Sequence, residues 1–401
     1  MSRISSTAYA AVLALFGVTS TFLYSRWGAY STFYANRPGA LKNFNILPQA
    51  GVEFEDIVRN CEDVYMNEVD GWALLSCDPA RASWNTVMGT FKNPSSHPDT
   101  GLYIYNYQDQ DAAIPHKLTL TNFNSSTFHP LGIEYVPQSR TLYVVNHAEA
   151  GSRIESFRIK VDNQQAHHLA TIEHPDLQTP NSIAALSASS LLVTEDHYFE
   201  ARYHPWLAKL ETYLGLSLGS IVRLDLDITR AAGPPKLTYL AGQAFANGIV
   251  LLDAKTMAVA STVGAAVNIY TSPSGFTQDR EDVTLKQTIN LSFLPDNLSV
   301  DSNGALLIAG HPYAPSLEAV AKCSEAKQAR DKCPKAPSWI ASWTPAGGVQ
   351  DLFVGSDFGT ATTAVRDVGR GIGIAVGLYE KGIMTWSEPG NDGQNVLQQP
   401  L

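Results

Sequence analysis

The chain has 401 residues, of which 44% are hydrophobic and 16% charged, with 29 Gly and 22 Pro and a net charge of -10. No Lys/Arg-rich run interrupts the acidic balance, which argues against nucleic acid as a partner, because phosphate binding needs clustered cations. Gly and Pro are scattered and not gathered into a linker, which favours one turn-rich β domain over two joined units.

From the N-terminus, no charge lies between Arg3 and Arg26, and Thr7 to Tyr24 as a helix is long enough to cross a bilayer core of about 30 Å. Residues 1–26 are expected to be a signal-anchor or a cleaved signal peptide, so that the rest enters the secretory pathway. It is then membrane-anchored with a lumenal or extracellular domain, or secreted if the segment is removed. Residues 27–50, with Pro38 and Pro48, read as an irregular stalk.

From 51 to 390, short runs rich in Val, Ile, Tyr and Leu recur between Gly, Pro, Asn and Asp. They include GLYIYNY at 101, TLYVVNH at 141, RIESFRIKV at 153, SLLVTEDHY at 190, SIVRLDLDI at 220, VNIYTS at 267, GALLIAG at 304, SWIASWTP at 338 and GIGIAVGLYEKGIMTW at 371. Strands at this density without long helical periodicity suit a propeller or a large sandwich, and leave the number of blades open. One segment breaks the pattern. Over His204 to Gly219, Trp206, Leu207, Leu210, Tyr213, Leu214 and Leu218 recur at helical spacing and predict an amphipathic helix of about four turns. It either packs on the rim of the β domain or lies on a membrane beside the N-terminal segment. Residues 391–401 read as a tail.

Cys61, Cys77, Cys323 and Cys333 suit an oxidising route. Cys323 and Cys333 bracket the polar stretch SEAKQARDK, read as a surface insertion of a helical turn or two closed by a local disulfide. Zinc is disfavoured, since no CxxC pair or neighbouring His accompanies them. Cys61 and Cys77 are candidates for a second bridge, which spacing alone does not fix. Asn124, Asn290 and Asn297 each begin a glycosylation sequon.

Four segments place carboxylates or carboxamides beside apolar strand residues: Cys-Glu-Asp at 61–63, Thr-Pro-Asn-Ser at 179–182, Phe-Ala-Asn-Gly at 245–248 and Pro-Asp-Asn-Leu-Ser-Val-Asp at 295–301. Each alone is turn chemistry. Together with EDVY, VVNHAEAGSRIESF, TPNSI, TEDHYF, YLGL, FANGI, LPDNLSVD and AGHP, in this order from Phe44 to Trp386, they resemble the paraoxonase/arylesterase family.

The resemblance implies an all-β, six-bladed β-propeller with central calcium sites, preceded here by the N-terminal hydrophobic helix. It implies a catalytic calcium bound by Glu62, Asn181, Asn247, Asp296 and Asn297, a hard-oxygen set whose two carboxylates balance the ion's charge. Asn297 would then be buried and its sequon silent, leaving Asn124 and Asn290 as acceptors. A second, structural calcium would use Asp63 and the carbonyl of Ile133, but Ser182 stands where the family has Asp, so that site is expected to be weaker or empty. His147 matches one member of the family's histidine pair. The other position is Leu131, which takes no proton. His129, two residues earlier, would face the same side of an extended segment and is the substitute candidate. Phe245, His197 and His311 match positions along the substrate wall.

No Gly-x-Ser-x-Gly elbow, Walker loop or dinucleotide fingerprint competes. The expected activity is calcium-dependent hydrolysis of small lactones and aryl esters. The alternative is a membrane-tethered calcium propeller, impaired in turnover, that binds a small apolar ligand or a protein.

Overall fold

A computed structural model describes residues 6–108, 113–226, 235–277, 282–325 and 333–388. The β runs pair into six blades of at least four strands each, antiparallel except where Thr119–Thr121 runs parallel to Gln165–Ile172 at the edge of the second. The innermost strands are Cys61–Asn67, Pro130–Val136, Pro180–Ser187, Ala246–Asp253, Leu294–Val300 and Ala361–Asp367. Each packs beside the next and the last returns to the first, so the blades close into a ring. This is the six-bladed propeller expected.

Second strands such as Thr141–Ala148 and Trp72–Cys77 are buried along their whole length. A strand covered by a neighbouring blade on each face has no solvent side, which is why these runs read as continuously apolar. The core lies between blades: Leu74 and Leu102 of the first pack against Leu142, Val144 and Phe157 of the second. Each such side chain contributes about 1.5–3 kcal/mol relative to leaving it exposed.

The N-terminal segment departs from the expected stalk. Helix α1 runs Ser6–Ala35, Phe44–Asn45 adds a fifth strand to the fifth blade, and Gly51–Glu53 forms the outer strand of the sixth, paired with Ile383–Ser387. The second half of α1 is held by the propeller: Arg26 and Asn36 donate to the carbonyls of Val263 and Ser292, and Phe33 packs on Tyr313. These partners extend the helix beyond the apolar run. Ser, Thr and Gly dilute that run, and no helix among the described residues is long and apolar enough to cross a membrane.

Helix α2, Pro205–Leu214, is shorter than expected, because Gly215 takes a left-handed φ of 59° and its N–H closes the last turn. Its packing is inverted. Ala208 and Glu211 are buried, Glu211 accepting from the N–H groups of Tyr198 and Phe199, whereas Trp206, Leu207, Leu210 and Tyr213 are exposed. Helix α3, Ala314–Glu325, starts well before the insertion expected around Cys323. Disulfides join Cys323 to Cys333 and Cys61 to Cys77. The expected tail, 391–401, lies outside the described residues.

Candidate functional site

All six inner strands slip register near their start: between Cys61 and Asp63, Pro130 and Ile133, Pro180 and Ile183, Ala246 and Ile249, Pro295 and Leu298, and Ala361 and Thr363. A bulge leaves residues out of the ladder and re-aims their side chains. The residues so released include Glu62, Leu131, Asn181, Asn247, Asp296 and Asn297. Side chains far apart in sequence thereby meet on one ring. Close approach of neighbouring blades there needs glycine. A Cβ on Gly132 would lie 2.4 Å from the Asn181 carbonyl oxygen, and one on Gly248 would lie 2.5 Å from the Asn297 Cα.

Hydrogen bonds fix each carboxamide by its nitrogen. Asn181 Nδ2 donates to Asp196 Oδ2 at 3.3 Å, and Asn247 Nδ2 to Thr262 Oγ1 at 3.0 Å, while Thr262 donates onward to the Pro295 carbonyl at 2.8 Å. Asn297 Nδ2 donates to Glu62 Oε1 at 2.8 Å and to Thr363 Oγ1 at 3.0 Å. The oxygens are left over: Glu62 Oε2, Asn181 Oδ1, Asn247 Oδ1 and Asn297 Oδ1 are buried without a hydrogen-bond partner. Such acceptors cost about 1–3 kcal/mol each unless something charged or polar meets them. Burial, reinforced by the charges of Asp63 and Asp296, holds the Glu62 carboxyl well above the usual carboxylate range. Among the described residues no three His, Cys, Asp or Glu gather as a metal site. The candidate set here is mostly carboxamide.

The pair Asp63 and Ser182 differs. Asp63 accepts from the N–H groups of Val64 and Ile133 at 2.8 Å each and from Thr363 Oγ1 at 2.9 Å, and Ser182 Oγ accepts from Ile249 N at 3.4 Å. Burial pushes the Asp63 carboxyl up to about 6 against those hydrogen bonds. Among the described residues no orphaned side-chain oxygen marks the expected second calcium position, and the Ile133 N–H donates to Asp63.

A cavity of about 380 Å³ opens above the ring. Glu62, Asn181, Asn247 and Asp296 line its base, Leu131, Phe245 and His197 its wall, and α2 and α3 its mouth, where Tyr213 OH donates to Glu318. Phe245 holds a φ of 43°, uncommon for an aromatic residue, with its ring 4.6 Å from that of His197. His197 is oriented at both nitrogens, Nδ1 to Asp196 Oδ1 and Nε2 to Thr212 Oγ1, each at 2.7 Å. Burial alone would lower its pKa, but the Asp196 charge and hydrogen bond outweigh burial and raise it. His311 Nε2 lies 2.8 Å from Asp296 Oδ2.

His129 is not on the cavity wall. Its Nδ1 pairs with Asp78 Oδ2 and its Nε2 donates to the Pro94 carbonyl, both at 2.8 Å, and its ring stacks on Trp84. With both nitrogens engaged it has no face for water, so the expectation that it substitutes for the position of Leu131 is corrected. Two residues along the chain did not restore the same direction, because the bulge after Pro130 breaks the alternation of sides. His147 is also buried, with Nε2 2.7 Å from the Pro180 carbonyl and Nδ1 on Thr86 Oγ1. Asn124 and Asn290 are exposed, whereas Asn297 is enclosed. Sequence reasoning missed Thr86, Thr262 and Thr363, whose hydroxyls act only through spatial neighbours and leave no local pattern.

The arylesterase family model matches residues 94–326. Serum paraoxonase/arylesterase 1 of Mus musculus is 31% identical over 236 residues, 53% of this chain and 62% of that protein. Serum paraoxonase/lactonase 3 of Oryctolagus cuniculus is 33% identical over 204 residues, 49% of this chain and 53% of that protein. The match therefore spans less than two thirds of either relative's length. Among solved structures, a gluconolactonase of Xanthomonas campestris is similar over 89% of this chain and 92% of that chain, at 15% identity and a TM-score of 0.48.

Proposed function

Because this chain belongs to the paraoxonase/arylesterase family, we propose that it hydrolyses small lactones and aryl esters in the axial cavity, with calcium held by Glu62, Asn181, Asn247, Asp296 and Asn297. The observation that carries this reading is the set of buried, unpartnered oxygens on Glu62, Asn181, Asn247 and Asn297. Each carboxamide spends its donor on a neighbour and keeps its acceptor free, which is the arrangement a hard cation needs and a hydrogen-bonded core does not. Bound there, calcium supplies Lewis-acid polarisation of the substrate carbonyl.

The chain's own groups do the rest. Phe245, Leu131 and the apolar wall take the carbon skeleton and exclude water, while Thr262 and Asp196 keep Asn247 and Asn181 aimed inward. The outward apolar faces of α1 and α2 support association with a membrane surface at the cavity mouth. The disulfides and the exposed Asn124 and Asn290 support a lumenal or extracellular setting.

A second reading has its own support: Leu131 is packed in the core and His129 is sequestered, so the wall lacks a histidine where the family places one. On that reading the protein is a calcium propeller without turnover that binds a small apolar ligand or a protein. Hydrolysis of a lactone and aryl ester panel, with and without a chelator, separates the two. Calcium-dependent turnover supports the hydrolase, and no turnover across the panel with calcium bound supports the binding protein.

A further inference from the structure

His147 is 4% exposed and does not reach the cavity, yet one hydroxyl connects it to that space. Thr86 is half-buried, lines the cavity and meets His147 Nδ1 with its Oγ1. The Pro180 carbonyl, 2.7 Å from Nε2, accepts only a proton, so the neutral imidazole carries its hydrogen on Nε2 and leaves Nδ1 as the acceptor. Thr86 must then donate to Nδ1, and its oxygen lone pairs remain for a donor on the cavity side.

The loop bearing Thr86 is fastened to the same histidine a second time. Trp84 Nε1 donates to the His147 carbonyl at 2.7 Å, and Asn85 is held by the Tyr379 hydroxyl at 3.0 Å. Of the carboxylate oxygens on the cavity base, Glu62 Oε1 is committed to Asn297 and Asp296 Oδ2 to His311, and the unpartnered oxygens there are the ones assigned to calcium.

We infer that Thr86 is a catalytic proton relay, carrying a proton between water in the cavity and His147. The inference rests on the hydrolase reading above. As the water oxygen bonds to the carbonyl carbon, a water proton passes to Thr86 Oγ1 and the Thr86 hydroxyl proton passes to His147 Nδ1. The resulting imidazolium keeps its Nε2–H on the Pro180 carbonyl. When the ring C–O bond breaks, the proton returns by the same route to the leaving alkoxide oxygen. Burial lowers the pKa of His147; the Pro180 carbonyl and Asp196 oppose this, while Arg81 and His129 add to it, so the ring is neutral and ready to accept at neutral pH.

The test is steady-state lactone hydrolysis by the calcium-loaded full chain and two variants. Thr86→Val, nearly the same shape without the hydroxyl, should lower kcat by about 10²-fold or more with KM and calcium affinity unchanged, and Thr86→Ser should restore it to within about threefold. The solvent deuterium isotope effect and the pH inflection of the parent should both disappear in Thr86→Val. Parent-like kcat in Thr86→Val, or Thr86→Ser as slow as Thr86→Val, overturns the relay while leaving the hydrolase reading intact. A parent without turnover overturns both, and is recognised before any variant is compared.

Discussion

The carboxamides at the ring are informative because each is held by its nitrogen, and the groups that hold them are testable apart from the ligands. Thr262 bridges Asn247 to the Pro295 carbonyl. Thr262→Val should therefore lower calcium affinity by about 10- to 100-fold, read by titration calorimetry, with little change in the fold. Unchanged affinity would mean that Asn247 is positioned by its bulge alone. A second residue, the half-buried Glu134, lies beside the ring with its carboxylate accepting from Ala185 N at 3.1 Å, and burial pushes it up to about 8. Its folded pKa is above the unfolded value, so the penalty is nil while both states are protonated at low pH, grows as pH rises from the ordinary carboxyl range towards 8, and then stays. Glu134→Gln should accordingly leave the melting temperature unchanged near pH 4 and raise it near pH 9, by about 2–4 °C for each kcal/mol recovered. A gain equal at both pH values would place the effect in packing and not in charge. The ligand residues were legible because their motifs carry the family resemblance. Thr86, Thr262 and Thr363 were not, because a hydroxyl that acts through a neighbour in space has no sequence spacing to reveal it.

Among the elements, the strands read from sequence were mostly second and third strands, where both faces are covered and the apolar run is unbroken, as in TLYVVNH and GALLIAG. The inner strands escaped. Leu294–Val300 begins Leu-Pro-Asp-Asn, which is turn chemistry by composition and a bulged strand in fact, because the register slip removes the very residues that break the alternation. Helix α2 was legible in its period and not in its orientation: helical spacing identifies an apolar face but not which side the fold covers. Trp206, at 70% exposure, points away from the propeller, and Phe16 of α1 is likewise 70% exposed. If these faces seat the cavity mouth on a lipid surface, replacing Trp206 and Leu210 by Ser should reduce binding to zwitterionic vesicles by about 10-fold or more, since each buried apolar side chain is worth about 1.5–3 kcal/mol. Turnover of a water-soluble aryl ester should be unaffected. Equal vesicle binding by parent and variant would remove α2 from the contact.

At the scale of the whole molecule, no covalent bond among the described residues joins the first strands to the last. The N-terminal strand Gly51–Glu53 completes the sixth blade beside Ile383–Ser387, so the chain ends are joined there only by hydrogen bonds and side-chain packing. The candidate ligands act across the same geometry. Glu62 comes from the first blade, Asn181 from the third, Asn247 from the fourth, and Asp296 and Asn297 from the fifth. Without a cation, that ring keeps buried acceptors unpartnered and a Glu62 carboxyl displaced from its ordinary range by burial and by its acidic neighbours. A cation held there would satisfy all of these at once and would bind only when the blades are assembled, so its binding free energy would be added to the stability of the fold. At a free calcium concentration about a thousand times the dissociation constant, that amounts to about 4 kcal/mol. Removing calcium with excess chelator should therefore lower the melting temperature by about 5 °C or more, and re-addition should restore it. Asp296→Ala, with one of the two ligand carboxylates gone, should melt at the same temperature with and without chelator. A parent whose melting curve is unmoved by chelation, with metal loss verified by elemental analysis, would show that the orphaned oxygens are met by something other than a cation.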